Sequence, residues 1–170
     1  MNLRNELDAL RMNAYLHIDA VADLAKVFSH TIKRIQSNTS LHTYTCLVYV
    51  LGFAGDTTYA SLVKKANHQQ AFAGKDFFNW LVANQYLSEI SQRGELIGDL
   101  VVYLDSDGHF KHIGLLVEEN RVKSKWGDQG LYEHELFEVP KNYGDDVKFY
   151  EAIKYDKALA AFKKYLAEMV

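Results

Sequence analysis

Apolar and polar residues alternate most clearly between Gly98 and Gly127, in the stretch GDLVVYLDSDGHFKHIGLLVEENRVKSKWG. Three runs rich in Val, Leu, Ile and Tyr, over Leu100–Leu104, 111–117 and Arg121–Trp126, are divided by Asp105-Ser106-Asp107-Gly108 and by Glu118-Glu119-Asn120. Both dividers consist of residues that favour tight turns, and connections this short join antiparallel neighbours, so the pattern predicts a three-stranded meander. His112 heads the middle strand. Gly114 falls on the same face, because side chains alternate along a strand. A glycine there leaves room beside the imidazole for a neighbouring backbone or a substrate.

Upstream, apolar residues recur at alternating steps of four and three: Leu3, Leu7, Leu10, Ala14, then Val21, Leu24, Phe28 and Ile35, with His17 and Thr31 at the two polar places. The spacing predicts one long helix over residues 3–35. Ser37-Asn38-Thr39-Ser40 would end it, since short polar side chains compete for the backbone. Such a stripe either meets a partner, as in a homodimer, or packs on its own domain; the second is the plainer expectation. The run HTYTCLVYVLG from His42 predicts a buried helix from about Thr45 to Gly52 or Gly55, although its β-branched residues also suit a strand.

Asp56-Thr57-Thr58 caps a helix over 59–67, and Gly74-Lys75-Asp76 precedes one carrying Phe77, Phe78, Leu81 and Val82. Trp80 and Tyr86 are expected beneath or beside the sheet, and 91–94 as a loop into the meander. Residues 128–140 read as an irregular connection, either the wall of a cleft or the cover of a sheet edge. A strand over 147–153 and a helix capped near Asp156, with Leu159, Phe162, Leu166 and Met169 at helical spacing, close the chain. The fold class is therefore α+β, an antiparallel sheet packed against helices with a long N-terminal helix. One domain covers residues 1–170, with a helical extension over 1–37, a core over 41–153 and a C-terminal helix over 155–169.

Composition narrows the function. A chain of 170 residues, 48% hydrophobic and 24% charged, suits one ordinary core, and a single proline leaves no material for a linker. A net charge of -3 and a pI near 6.1 give no electrostatic ground for a nucleic-acid or anionic-membrane partner. No run reaches the apolar length of a membrane span. The start, MNLRNELDALRMN, lacks the apolar stretch of a secretory signal, so the expected location is the cytoplasm, with non-classical export left open.

Cys46 is the single cysteine, which rules out an intrachain disulfide and any multi-cysteine metal site. It is either a buried apolar thiol or a reactive one. In the first turn of its helix, unpaired N–H groups and the positive dipole end would favour the thiolate. Asp105, Asp107 and Gly108 match part of a calcium loop, but the later ligands are missing. The spacing of Asp105, His109 and His112 supports no metal centre either, so a hairpin turn is expected, with neither metal nor cofactor. His134, between two glutamates, is expected to be solvated, with a place in a cleft as the other option.

A cysteine at a helix start followed by a histidine heading a central strand is the arrangement that papain-like cysteine enzymes share. Gly98-Asp99-Leu100-Val101-Val102-Tyr103 with His112-Ile113-Gly114-Leu115-Leu116 resembles the "GDLV…HVGIY" signature of the NlpC-type and CHAP-type peptidases and amidases. Ser124-Lys125-Trp126-Gly127, with Pro140 and Tyr143-Gly144, is similar to uncharacterised bacterial members of that superfamily. The match runs over residues 46–150 and leaves the first helix unexplained.

What the resemblance implies is a papain-like, NlpC/CHAP-type fold with Cys46 as nucleophile, His112 as general base and Ser124 in the histidine-orienting place. Tyr44, Trp126 and His134 would line the oxyanion site and cleft. The expected substrate is a peptide-type amide, with muropeptide stems foremost. Two departures stand out: Ser124 where relatives hold His, Asn, Gln or an acid, and Leu47-Val48 where small residues usually follow the cysteine. They favour the second expectation, an inactive papain-like fold acting as a binding or toxin-associated interaction module.

Overall fold

Among the described residues the chain forms six α-helices and seven strands: α1 (Leu3–Leu10), α2 (His17–Leu24), β1 (Lys33–Ile35), α3 (Cys46–Val50), α4 (Thr57–Ala66), α5 (Lys75–Ala83), β2 (Glu89–Ile90), β3 (Leu100–Leu104), β4 (Phe110–Glu118), β5 (Arg121–Trp126), β6 (Gly130–Glu135), β7 (Asp146–Tyr150) and α6 (Tyr155–Glu168). The structure is a computed structural model that describes residues 2–10, 17–66, 71–91 and 96–169. The expected stripe position Ala14, the helix end at Asn67 and loop residues Gln92, Arg93 and Gly94 lie outside them. All strands join one antiparallel sheet in the order β1-β6-β5-β4-β3-β7-β2. Among the described residues no helix is long and apolar enough to cross a membrane.

The meander forms as β3, β4 and β5, with Val102 opposite Ile113 and Gly114 opposite Ser124. A register shift beside Tyr103 and Leu104 leaves Lys111 as an extra residue, which places Phe110 and Ile113 on one face although they are three positions apart. On that face Phe110 stacks on Phe78 of α5 at 4.4 Å. Leu100, Val102, Ile113 and the aromatic residues Phe53, Phe77 and Phe162 fill the first core, roofed by α3 to α6. Val101, Tyr103, Leu116, Val122, Trp126 and Tyr132 fill a second core on the opposite face, closed by Leu7 of α1 and Val21 of α2. Each buried aromatic or aliphatic side chain stabilises the layers by about 1.5–3 kcal/mol.

The single long helix expected over residues 3–35 does not form. α2 ends at Leu24, and residues 33–35 are a strand paired with β6. Tight turns follow Leu24, and His30 folds back on α2: its Nε2 donates to the carbonyl of Val21 at 3.2 Å while its Nδ1 accepts the N–H of Ile32. α1 and α2 pack on each other and on the chain's own sheet, so the apolar stripe is consumed within the molecule. Arg4 pins α1 to the carbonyls of Val139 and Gly144 and to Asp145.

The connection expected to be irregular holds β6, hydrogen-bonded along its whole length to β5. Trp80 and Tyr86 stack on each other at 5.3 Å against the first core, and the Trp80 indole finds its partner in Glu168 of α6. After β6 the chain returns through Gly144, whose φ of 107° and ψ of 163° suit glycine alone. A Cβ there would stand 2.0 Å from the Leu104 carbonyl oxygen. Gly144→Ala is therefore expected to cost about 3 kcal/mol or more, read as a lowered urea midpoint with an unchanged m-value.

Candidate functional site

Thr45 caps α3: its Oγ1 accepts the N–H of Val48 at 3.3 Å and donates to the carbonyl of Ala73 at 3.2 Å. The cap places Cys46 at the first helical position, as expected, and α3 lies across β4 and β5. Backbone hydrogen bonds from Ile113, Leu47 and Cys46 itself and the charge of Lys125 favour the thiolate, but burial outweighs them and pushes the thiol up to about 11. Cys46 is thus a protonated thiol at neutral pH.

Lys125, which the sequence reading left unassigned, faces the same side. Its Nζ donates to the carbonyl of Gly127 and sits 5.3 Å from the ring centroid of Tyr44. Burial lowers its ammonium to about 8, opposed chiefly by the charge of Asp128. Tyr44 and Asp128 also line an open cleft of about 570 Å³ beside the start of α3. Its walls include Val48, Phe53, Tyr59, Val63 and Phe72, with Thr45, Asp56 and Lys64 as polar contacts. Tyr44 is the one expected cleft residue found there.

His112 stands on the other side of the sheet. Alternation along β4 sends Ile113 into the first core and His112 into the second, where its ring stacks on Tyr143 at 4.0 Å and lies 5.6 Å from Tyr103. It is 2% exposed, its Nε2 has no hydrogen-bond partner among the described residues, and burial holds its pKa well below the usual range. The expected pairing of Cys46 with His112 is therefore corrected: the sheet lies between them. Gly114 shares His112's face, but the room beside it is taken by Val122 and Ser124, which a Cβ would meet at 2.5 and 2.9 Å.

Ser124 does not orient His112. The Trp126 indole N–H donates to Ser124 Oγ at 2.9 Å, and Ser124 Oγ lies 2.8 Å from His134 Nε2. His134 Nδ1 is 2.7 Å from the Glu135 carbonyl, which can only accept, so Nδ1 carries the proton and Ser124 O–H donates to Nε2. Trp126 and His134 are fully buried, which corrects their expected places in a cleft and the expected solvation of His134. The three side chains form a polar chain on the face under α1 and α2, opposite the one that Cys46 packs on. Signals for this network were present in the alternation of β5, but not its partner, because β6 had no apolar pattern.

Asp105, Asp107 and His109 bring ligand atoms within 4.8 Å of one another. Asp105 Oδ1 is already engaged by the N–H groups of His109 and Asp107, which with Lys111 hold its carboxyl at about 2. The geometry is that of the expected hairpin turn.

Fold and site together define an α+β protein with a central antiparallel sheet, a cysteine-bearing helix over one face and a buried histidine network under the other. The chain belongs to the family described as "Domain of unknown function (DUF7689)", whose model matches residues 34–151. That span runs from β1 through β7 and leaves out α1, α2 and α6. No curated protein and no solved structure matches the chain.

Burial holds His134 at about 4, below its ordinary 6.5, so the folded state resists a proton that the unfolded chain accepts. Stability is fully present above about 6.5 and falls as pH drops toward 4, by about 3 kcal/mol from this group. Urea titrations at pH 7 and 4.5 are expected to show the loss, with a flatter profile in His134→Gln. Alkylation checks the thiol: Cys46 is expected to react with iodoacetamide at pH 7 at least about ten-fold more slowly than a free cysteine peptide.

Proposed function

We propose that this chain is a non-hydrolytic binding module, and that the cleft beside the start of α3 takes a small ligand, or a peptide side chain, with an aromatic or branched aliphatic body. The observation that carries this reading is the sheet between Cys46 and His112. With the imidazole on the far face, His112 does not take the Cys46 proton, and burial raises the thiol instead of lowering it. A volume of about 570 Å³ is that of a small-molecule site, and the apolar walls with a few polar contacts suit such an occupant.

The finer likeness to papain-like proteins belongs to the same proposal. Its support is the short helix that starts at Cys46 and lies over β4 and β5. The reading keeps that architecture and drops the hydrolysis of peptidoglycan amides, which needed the histidine beside the sulfur. It also leaves the N-terminal helices as part of the domain instead of a partner's seam.

Amide chemical shifts on titration with benzyl alcohol test the cleft. Shifts are expected at Thr45, Thr57, Ala60 and Phe72, and not on the α1 side of the sheet. Ala60 is an exposed lining residue of α4, so Ala60→Trp fills the cleft without disturbing the core. It is expected to weaken binding at least about ten-fold, equal to about 1.4 kcal/mol. Unshifted cleft amides at millimolar probe, or an Ala60→Trp variant that binds as well as the parent, would end the proposal.

A further inference from the structure

We propose that Lys125 is a nucleophilic amine that captures a carbonyl-bearing ligand of the neighbouring cleft as an imine. The proposal deepens the reading of the cleft as a ligand site and rests on it. Three observations converge on Lys125. Its side chain is buried, yet it forms no ion pair among the described residues. Its nitrogen is held by one backbone carbonyl, that of Gly127, which a neutral amine satisfies as well as an ammonium. It stands against Tyr44, a wall of the cleft, with Asp128 of the same lining among the charges that act on it.

A lysine stripped of water without a counter-charge loses its proton more readily, which is the condition for carbonyl chemistry. Burial brings Lys125 to about 8, so an appreciable fraction is neutral near pH 7. Tyr44 lines both the cleft and a recess of about 310 Å³, and the Lys125 nitrogen lies over its ring. Its hydroxyl bonds Ser37 Oγ at 2.8 Å, so swinging the ring aside gives up that bond and the stacking over Nζ.

The step balances without an oxidant or a metal. The nitrogen lone pair forms a C–N bond to the carbonyl carbon, the carbonyl oxygen takes up the two amine protons and leaves as water, and C=N remains. Apolar walls disfavour the return of water and so favour condensation.

Benzaldehyde with cyanoborohydride at pH 7, followed by peptide mapping of the intact chain, tests the proposal. Benzylation of Lys125 is expected at least about ten-fold faster than the average of the other lysines. It should be faster still in Tyr44→Ala, and the adduct should vanish from that peptide in Lys125→Met. Benzyl alcohol, which fits the same space and cannot condense, serves as the parallel probe. Lys125 labelling no faster than exposed lysines in both the parent and a folded Tyr44→Ala variant, while benzyl alcohol still shifts the cleft amides, overturns the imine and leaves the cleft standing. Unshifted cleft amides together with an unlabelled Lys125 overturn both.

Discussion

Adjacent residues of a β-strand point to opposite sides, and in β4 that rule decides the chemistry of the molecule. Ile113 enters the core beneath α3, with the Cys46 thiol against its backbone, while His112 enters the core beneath α1 and α2. Strands β3 and β5 hold β4 in register on either side, so neither residue can change face without breaking both ladders. The bulge at Lys111 ends the constraint locally by returning Phe110 to the α5 side. The two cores, the separate fates of the thiol and the imidazole, and the position of the cleft all follow from this one register.

The two faces solve the problem of buried polar groups differently. Under α1 and α2, Trp126, Ser124, His134 and the Glu135 carbonyl form a chain in which each donor meets an acceptor, and a neutral imidazole is the form that fits. His112 is not matched in this way among the described residues: stacking on Tyr143 fills its space while its Nε2 has no partner, at a cost of about 1–3 kcal/mol. Under α3, Lys125 has a carbonyl and an aromatic face in place of a counter-ion. One side therefore ties most of its buried polar groups to one another, and the other keeps a titratable amine against Tyr44, a wall of an open cleft.

The parts legible in the sequence were those whose pattern had one cause. Turn residues bounded β3, β4 and β5, and the Thr45 cap with its apolar run located α3. β6 was hidden because one buried face carries Gly130, Tyr132 and His134, and on the other the buried Leu131 is followed by Glu133, ion-paired to Arg121. An inward histidine and a neutralised glutamate erase the apolar alternation that marks a strand. The stripe from Leu3 to Ile35 misled for the opposite reason: its period persists past Leu24, where α2 ends in tight turns. For the site, Cys46 at a helix start and His112 at a strand head were both read correctly as positions. Which face each occupies depends on the whole sheet, and no local signal announces that Tyr44 would roof Lys125.

The sheet stops at β1 on one side and β2 on the other, strands of three and two residues. So few main-chain donors and acceptors remain open along either border that a foreign strand finds almost nothing to zip onto. Lys33 and Arg34 add positive charge to one of these borders. Short, partly charged borders of this kind leave strand addition little length to build on.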